Sequence, residues 1–199
     1  EIKKIGENNS AYTHNCISVS RLKGWKRVDR SLEIYRLFSK QYPKSNYIIV
    51  GEGEDRKALE EEIANKGLES AVHFTGAINS DEVNYLLGKS NIFLSHYELS
   101  NVGNPLWEAM INNCLIVTLA NGDTGKIIID NYNGIVSSEN EYLNNASKLI
   151  TMVKEPEKTE QLMNNAKKTL KENIKTWDER MEWEYREVLK LLEKSNRIN

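Results

Sequence analysis

The stretch YIIVGEGEDRKALEEEIANKGLESAVHFTG, residues 47–76, decides the fold class. Its two ends, YIIVG (47–51) and VHFTG (72–76), are short apolar runs rich in β-branched and aromatic residues, which favour strands. Between them, Leu59 and Ile63 are spaced one helical turn apart, as on the buried face of an amphipathic helix. A strand, a helix and a second strand in this order predict one right-handed crossover unit of a parallel sheet.

The same alternation extends outward in both directions. Four further apolar runs lie along the chain: CISVS (16–20), NIFLS (91–95), LIVTL (115–119) and the weaker GIVSS (134–138). The runs are nearly continuous in apolar character, as expected for parallel strands that are buried on both faces. From Glu139 onward only helical patterns follow, broken at Pro156 and near Trp177. The sequence therefore predicts an α/β fold, a doubly wound parallel sheet of about six strands with a helical carboxyl-terminal end.

The composition is that of an ordinary globular chain. At 199 residues, the chain is long enough for one large α/β domain and too short for two of comparable size. It is 39% hydrophobic and 28% charged, and its net charge of -2 gives no reason to expect nucleic-acid binding. Cys16 and Cys114 lie inside apolar runs and are interpreted as reduced core thiols of a cytoplasmic protein. No stretch approaches the roughly 18 apolar residues of a membrane span, and no secretory signal is visible.

The first strand-to-helix junction is strongly basic. In a doubly wound sheet, ligands bind at the carboxyl ends of the strands, where loops enter the next helix. SRLKGWKRVDR (20–30) carries five cations on a chain that is slightly acidic overall. Its helix is predicted to begin near Trp25, and cations at a helix amino-terminus are unfavourable unless an anion lies between them. A diphosphate bound between Lys26 and Arg27 would supply that anion, and a solvated basic helix face is the alternative.

The junction after the apolar run NIFLS (91–95) is rich in small and polar residues. HYELSNVGNPLWEAM (96–110) holds two glutamates, two asparagines, a glycine and a proline at a predicted helix start. Asn104 is expected to cap a helix that starts with Pro105. The backbone N–H groups of Gly103 and Asn104 would then form an anion site, with a purely structural helix start as the alternative.

The carboxylates and glycines at these junctions extend the predicted site. Glu108 lies about one turn inside the helix, where its carboxylate can accept hydrogen bonds from the hydroxyls of a ribose or hexose. After the apolar run LIVTL (115–119), ANGDTGK (120–126) again offers glycines, with a plausible cap at Asp123 or Thr124. Two helix starts and a basic loop would thus converge on one crevice.

Other chemistries find weaker support. VGEGEDR (50–56) begins like a dinucleotide fingerprint, but Arg56 stands where the third glycine belongs, and acidic neighbours would repel a pyrophosphate. A tight turn with an acidic helix start explains this stretch better. His14, His73 and His96 are scattered without metal-ligand spacing, and no nucleophile elbow is present.

Together, these motifs resemble the carboxyl-terminal, donor-binding domain of retaining GT-B-fold glycosyltransferases, the large group 1 family. The resemblance runs from about Asn15 to Leu192. It rests on SRL-x-x-x-K (20–26), VGEGE (50–54), VHFTG (72–76), the Glu-to-Glu segment (98–108) and NGDTGKIIIDNYNGIV (121–136). It implies a Rossmann-like GT-B carboxyl-terminal domain over residues 15–199, preceded by a linker or residual amino-terminal segment at 1–14.

The resemblance also implies a role for each candidate site residue. Arg21 and Lys26, both expected to be exposed, would hold the donor diphosphate and act in catalysis. Glu108 would hold the ribose hydroxyls, and Glu98 would lie near the donor sugar as a catalytic residue. The remaining donor-binding candidates are Gly76, Asn101, Gly103, Asn104, Asp123 and Thr124.

The chain departs from the family pattern at two positions. Nine residues separate Glu98 from Glu108, more than in the usual motif, so that Asn101, Gly103 or Asn104 could take the place of Glu98 at the sugar. Arg27 stands where many family members have glycine after the lysine.

The implied reaction transfers a sugar from a nucleotide-diphosphate sugar to a hydroxyl acceptor with retention of configuration, in polysaccharide or glycoconjugate biosynthesis. The diphosphate would be stabilised electrostatically, with neither a metal nor another cofactor. Such enzymes place the acceptor on a separate amino-terminal domain, for which this chain has no room, so the chain alone is expected to be inactive.

The alternatives are a non-enzymatic nucleotide-sugar binding module and a GT-B-fold sugar-nucleotide epimerase or phosphorylase. We expect a cytoplasmic protein with no transmembrane segment, although the full-length enzyme could contact a membrane peripherally.

Overall fold

The computed structural model describes residues 14–99, 102–175 and 177–196, without the side chains of 193–196. Its strands are β1 (Cys16–Val19), β2 (Tyr47–Val50), β3 (Val72–Gly76), β4 (Ile92–Ser95), β5 (Leu115–Leu119) and β6 (Ile135–Ser137). They form one six-stranded sheet in the order β3-β2-β1-β4-β5-β6, in which every neighbouring pair is parallel. Each strand falls within one of the apolar runs, so the predicted fold class is confirmed.

Helices connect the strands and form the carboxyl-terminal end. They are α1 (Val28–Ser39), α2 (Arg56–Asn65), α3 (Ser80–Gly88), α4 (Asn104–Ile111), α5 (Thr124–Ile127), α6 (Asn144–Met152), α7 (Pro156–Asn173) and α8 (Trp177–Asn196). Short 3₁₀ turns at Gly24–Lys26 and Glu139–Glu141 precede α1 and α6. Pro156 is the first residue of α7, where the missing N–H of proline costs nothing, and Trp177 is the first residue of α8. Both predicted breaks are therefore confirmed.

Successive strand residues point to opposite faces of the sheet, and each face is covered by helices. On one face, Cys16 packs in a cluster with Tyr35 of α1 and with residues of α6. On the other, Ile17 packs in a cluster with Met110 of α4 and with residues of α3. Cys16 and Cys114 are both buried and form no disulfide, in agreement with their prediction as core thiols.

The last two helices differ in how they are buried. α7 packs against α4 and buries Leu162 and Ala166. α8 leaves its large apolar side chains exposed, Trp177 at 76% and Tyr185 at 65%. Among the described helices, none combines the length and the apolar character that crossing a membrane requires.

The order of the strands places the candidate site. The chain runs outward from β1 through β2 to β3 on one side, and from β4 through β5 to β6 on the other. In a doubly wound sheet, a crevice is expected at the carboxyl ends of the strands where the order reverses. The loop after β1 leads to α1 on one face, whereas the loop after β4 leads to α4 on the other. The basic junction and the Glu-to-Glu segment therefore lie on the two sides of this opening, which we call the β1/β4 crevice.

Candidate functional site in the β1/β4 crevice

The junction after β1 places Lys26 between two aromatic rings. The Lys26 Nζ lies 4.1 Å from the centroid of the Trp25 ring and 3.9 Å from the centroid of the Tyr97 ring. Trp25 belongs to the same loop, whereas Tyr97 comes from the junction after β4. Burial of the ammonium, and secondarily the nearby Arg21 guanidinium, lower the pKa of Lys26. Arg21 is exposed as expected, but the expected exposure of Lys26 is wrong, because the two rings half-bury it.

The five cations of this junction divide into two groups. Arg27 and Arg30 each have a carboxylate partner, at 2.8 Å and 2.6 Å. Within the described ranges, no carboxylate lies at ion-pair distance from the other three, Arg21, Lys23 and Lys26. The charge on Arg27 is thus offset by the protein itself. The cation that lies close to Lys26 without a carboxylate partner is Arg21.

The helix after β1 begins later than predicted. A 3₁₀ turn spans Gly24–Lys26, and α1 begins at Val28, so the expected α-helix start near Trp25 is wrong by three residues. The cause is Arg27, which has a left-handed backbone with φ 45° and ψ 47° and so interrupts the helical path. Its N–H donates to the Gly24 carbonyl and closes the 3₁₀ turn.

Hydrogen bonds tie the junction after β4 to the junctions on either side. The Glu98 N–H donates to the Trp25 carbonyl at 2.9 Å. The Tyr97 hydroxyl donates to the Val19 carbonyl at 3.1 Å, at the end of β1. On the other side, Asn121 Nδ2 donates to the carbonyls of Tyr97 at 3.0 Å and Glu98 at 3.3 Å. The ends of β1, β4 and β5 are therefore joined into one connected edge.

The helix on the opposite side of the crevice begins without a side-chain cap. α4 starts at Asn104, and Gly103 occupies the N-cap position in an extended conformation. The predicted role of Asn104 as the cap is therefore wrong by one residue, and Pro105 is the second helical residue. In the described part of the chain, the N–H groups of Gly103 and Asn104 donate to no protein acceptor, which leaves them open to an anion. Asn101 lies outside the described residues.

Glu108 lies one turn inside α4 and is half-buried. Its neighbours Leu106, Ala109 and Met110 are buried in the core, so Glu108 lies beside the apolar face of the helix. Within the described ranges, no lysine, arginine or hydrogen-bond donor engages its carboxylate. With respect to the described residues, both carboxylate oxygens are thus available to accept hydrogen bonds.

The junction after β5 and the end of β3 complete the predicted set. Asp123 occupies the N-cap position of α5, but its carboxylate pairs with Lys126 at 2.8 Å instead of capping the helix. Thr124 is buried. Gly76 ends β3 with a φ of 74° and lies two strands away from β1. All the predicted site residues that the structure describes lie at the carboxyl edge of the sheet, and Gly76 lies farthest along it.

The junction after β2 supports the loop after β1. Gly51 and Gly53 approach that loop so closely that an added Cβ would come within 1.9 Å of the Ser20 carbonyl oxygen and 2.0 Å of the Leu22 carbonyl oxygen. Gly51 has a φ of 132°, which also favours glycine. The interpretation of this stretch as a tight turn is confirmed, and its glycines allow two backbones to pack directly.

His96 is fully buried beneath the crevice, at the end of β4. Its Nδ1 lies 2.9 Å from the Ser31 Oγ of α1, and its Nε2 lies 3.1 Å from the Asn145 Nδ2 of α6. Because an amide nitrogen can only donate, Nε2 accepts and Nδ1 carries the proton. Burial, and secondarily the Arg30 guanidinium, lower the pKa of His96 to about 3. The neutral imidazole of His96 thus joins the chain directly before Tyr97 to α1 and α6.

A cavity of about 660 Å³ lies at the opposite end of the sheet. Asn91 and Leu115, at the amino ends of β4 and β5, contribute to its lining together with α7. The junction residues do not reach it. Neither there nor elsewhere in the described ranges do three or more His, Cys, Asp or Glu side chains come together as a metal site.

The family model for group 1 glycosyl transferases matches residues 5–169, which include the whole sheet and the β1/β4 crevice. The chain belongs to this family. An uncharacterized glycosyltransferase of Methanocaldococcus jannaschii is 28% identical over 194 residues, covering 96% of this chain and 48% of that protein. The alpha-monoglucosyldiacylglycerol synthase of Acholeplasma laidlawii is 27% identical over 163 residues, covering 82% of this chain and 40% of that protein. This group 1 chain thus spans about half the length, or less, of these curated relatives.

Solved structures of glycosyltransferases share the fold. Anabaena Alr3699/HepE in complex with UDP-glucose has a TM-score of 0.75 at 22% identity, over 86% of this chain and 48% of that chain. The C-terminal domain of a group 1 family glycosyl transferase, LpcC, from Francisella tularensis has a TM-score of 0.73 at 22% identity, over 80% of this chain and 85% of that chain. The predicted resemblance to a GT-B carboxyl-terminal domain of the group 1 family is confirmed.

Sequence reasoning missed three parts of the candidate site in this group 1 chain: the rings of Trp25 and Tyr97 and the side chain of Asn121. The available signal was an aromatic residue next to Lys26 in one junction and another next to Glu98 in the neighbouring junction. Each is unremarkable alone, and their relation depends on the pairing of β1 with β4.

Proposed function

We propose that this chain is the donor-binding half of a glycosyltransferase that moves a sugar from a nucleotide-diphosphate sugar to a hydroxyl acceptor with retention of configuration. The observation that carries the proposal is the pair of cations at the reversal of strand order, Arg21 and Lys26, which have no carboxylate partner among the described residues. Holding a half-buried ammonium beside a guanidinium is unfavourable unless an anion binds both. A diphosphate is such an anion, and family membership supports the donor class.

The two sides of the crevice would stabilise the diphosphate together. Arg21 offers a forked contact and Lys26 a point charge from the β1 side. The N–H groups of Gly103 and Asn104, which have no acceptor among the described residues, offer the positive end of α4 from the other side. These groups would also stabilise the charge that develops on the leaving diphosphate, so the proposed reaction needs neither a metal nor another cofactor.

The other site residues would position the rest of the donor. Glu108, whose carboxylate meets no donor in the described part of the chain, would accept hydrogen bonds from the ribose hydroxyls. Glu98, whose backbone is fixed by Trp25 and Asn121, would lie near the donor sugar together with Asn101. The remaining contacts to the donor are proposed for Gly76, Asp123 and Thr124.

The names of related proteins support the choice of donor and pathway class. The Anabaena structures hold UDP and UDP-glucose. A relative from Salmonella typhi, 22% identical over 126 residues, is named as a Vi polysaccharide biosynthesis protein. We therefore propose a nucleoside-diphosphate sugar as the donor and polysaccharide or glycoconjugate biosynthesis as the setting. The acceptor would bind to a separate amino-terminal domain of a cytoplasmic enzyme that could contact a membrane peripherally.

Calorimetry of this chain with UDP tests the donor site. Replacing Arg21 or Lys26 with Ala removes one charge-assisted contact and should weaken binding about ten- to a hundred-fold. Lys23→Ala is the matched control, because Lys23 is an exposed cation of the same loop. It should bind UDP like the unaltered chain, and EDTA should change neither affinity. If the Arg21→Ala, Lys26→Ala double variant binds UDP with unchanged affinity, this loop is a solvated basic face and not a diphosphate site.

A transfer assay separates an enzyme from a binding module. This chain alone should bind a nucleotide sugar without transferring it. Joined to an amino-terminal half, it should transfer the sugar, and NMR of the product should show the donor's anomeric configuration. Turnover by these residues alone would contradict the proposed division of labour. Binding without turnover in every longer form would favour a non-enzymatic module.

A further inference from the structure

A lysine ammonium that is to bind phosphate must be held in place without being neutralised. The Lys26 side chain is long and flexible, and in the described part of the chain no carboxylate fixes its end. Its Nζ lies instead over two ring faces, 4.1 Å from the Trp25 centroid and 3.9 Å from the Tyr97 centroid. Both distances are within the range of about 6 Å over which a ring face attracts a cation.

Ring faces and a carboxylate would hold the ammonium with different consequences. A carboxylate would cancel the charge of Lys26 and repel an arriving diphosphate. A ring carries a quadrupole but no net charge, so it orients the ammonium and leaves the full positive charge available. The arrangement therefore suits a lysine that binds an anion, because the ammonium is already oriented and keeps its charge.

The residues that carry the two rings are hydrogen-bonded at the ends of the strands. The Tyr97 hydroxyl donates to the Val19 carbonyl at 3.1 Å, and the Tyr97 carbonyl accepts from Asn121 Nδ2 at 3.0 Å. The Trp25 carbonyl accepts from the Glu98 N–H at 2.9 Å. The geometry around Lys26 is thus set by β1, β4 and β5 before any ligand binds.

We infer that Trp25 and Tyr97 are positioning residues, which hold the Lys26 ammonium beside Arg21 for the donor diphosphate and act on the diphosphate only through Lys26. This inference rests on the proposed function, in which Lys26 contacts the diphosphate. It assigns a specific task to an exposed tryptophan and to a tyrosine of the junction after β4.

NMR of the lysine side chains tests the geometry without a ligand. Protons of the Lys26 ε-methylene, assigned by their loss in Lys26→Arg, should resonate upfield of those of Lys23 because they lie over ring faces. The upfield shift should shrink in Trp25→Leu and in Tyr97→Leu, and it should persist in Tyr97→Phe, which keeps the ring. Equal shifts for Lys26 and Lys23 in the unaltered chain would overturn the inference.

A double-mutant cycle with UDP tests the mode of action. Tyr97→Leu and Trp25→Leu should each weaken UDP binding about two- to thirty-fold, whereas Tyr97→Phe, which keeps the ring and loses only the hydrogen bond to Val19, should weaken it less than Tyr97→Leu. In a Lys26→Ala background, neither leucine substitution should weaken binding further. A further loss of the same size in that background would show that the rings act independently of Lys26 and would overturn the inference. Trp25 is 39% exposed, so Trp25→Leu should remain folded even if Tyr97→Leu does not.

The failures of the two proposals have different signatures. If the unaltered chain binds neither UDP nor another nucleoside diphosphate, the proposed function fails and the positioning role falls with it. If UDP binds and Lys26→Ala weakens it, but both leucine variants bind normally, only the positioning role fails.

Discussion

Arg27 and Asp29 form a two-point ion pair at the start of α1. Arg27 Nε donates to Asp29 Oδ1 at 3.0 Å, and Arg27 Nη2 donates to Asp29 Oδ2 at 2.8 Å. The pair is partly exposed, so it stabilises the fold by about 0–1 kcal/mol. A left-handed backbone costs a residue with a Cβ roughly 1–2 kcal/mol, so the pair does not offset the strain at Arg27. Glycine has no Cβ and would adopt this backbone conformation without that cost.

Replacing Arg27 with glycine or alanine should separate these two effects. Both substitutions remove the ion pair, but only glycine removes the strain. The free energy of unfolding should therefore be higher for Arg27→Gly than for Arg27→Ala by about 1 kcal/mol. Urea unfolding measures the difference, with Asp29→Asn as the control for the ion pair alone. Equal stability of the two variants would contradict the assignment of strain to Arg27.

Gly53 should matter for both stability and binding. A Cβ at this position would lie 2.0 Å from the Leu22 carbonyl oxygen, so Gly53→Ala must push the loop after β1 away from its place. We expect a loss of roughly 1–3 kcal/mol in the free energy of unfolding and weaker UDP binding. Gly24→Ala is the matched control in the same region, because a Cβ there meets nothing within 4 Å. If both variants unfold and bind alike, close packing of the two junctions is not important.

The buried imidazole of His96 should make stability depend on pH. Its pKa is lowered from the usual 6.5 to about 3, so the folded state resists protonation while the unfolded state accepts it. The stability that His96 contributes is thus fully present above pH 6.5 and is lost as the pH falls toward 3. Between pH 6.5 and 4.5, the unfolding free energy should fall more steeply than in His96→Gln, by up to about 1.4 kcal/mol per pH unit.

Comparison with His96→Gln isolates this histidine. His14 and His73 also have pKa values lowered by burial, but they are present in both proteins and cancel in the difference. The pKa of Glu33 is lowered to about 2, chiefly by its hydrogen bond from Arg36, so its stabilisation is lost only at more acidic pH. Parallel pH profiles of the two proteins would mean that His96 is accessible to protons in the folded state.

The strands were predictable because each is a continuous apolar run, and burial on both faces leaves a direct trace in the sequence. The starts of α1 and α4 were less predictable. Arg27 and Gly103 set these two starts by backbone conformation alone, without the side-chain cap that a sequence pattern can reveal. The contact between Lys26 and Tyr97 was beyond such reasoning, because residues distant in sequence meet only through the pairing of β1 with β4.

Glu108 should bind the ribose hydroxyls of the donor. Glu108 is half-buried, its carboxylate has no partner among the described residues, and diol hydroxyls are donors that would satisfy it. Glu108→Gln keeps the size and one acceptor oxygen but loses the charge, so it should weaken UDP binding by about ten-fold. The same change should have little effect on an analogue without ribose hydroxyls. Glu54→Gln, at an exposed position of the same sheet edge, is the control for the loss of one negative charge, and it should bind both ligands normally. Calorimetry with the two ligands decides the matter, because equal losses for both in Glu108→Gln would show that the carboxylate does not contact the ribose.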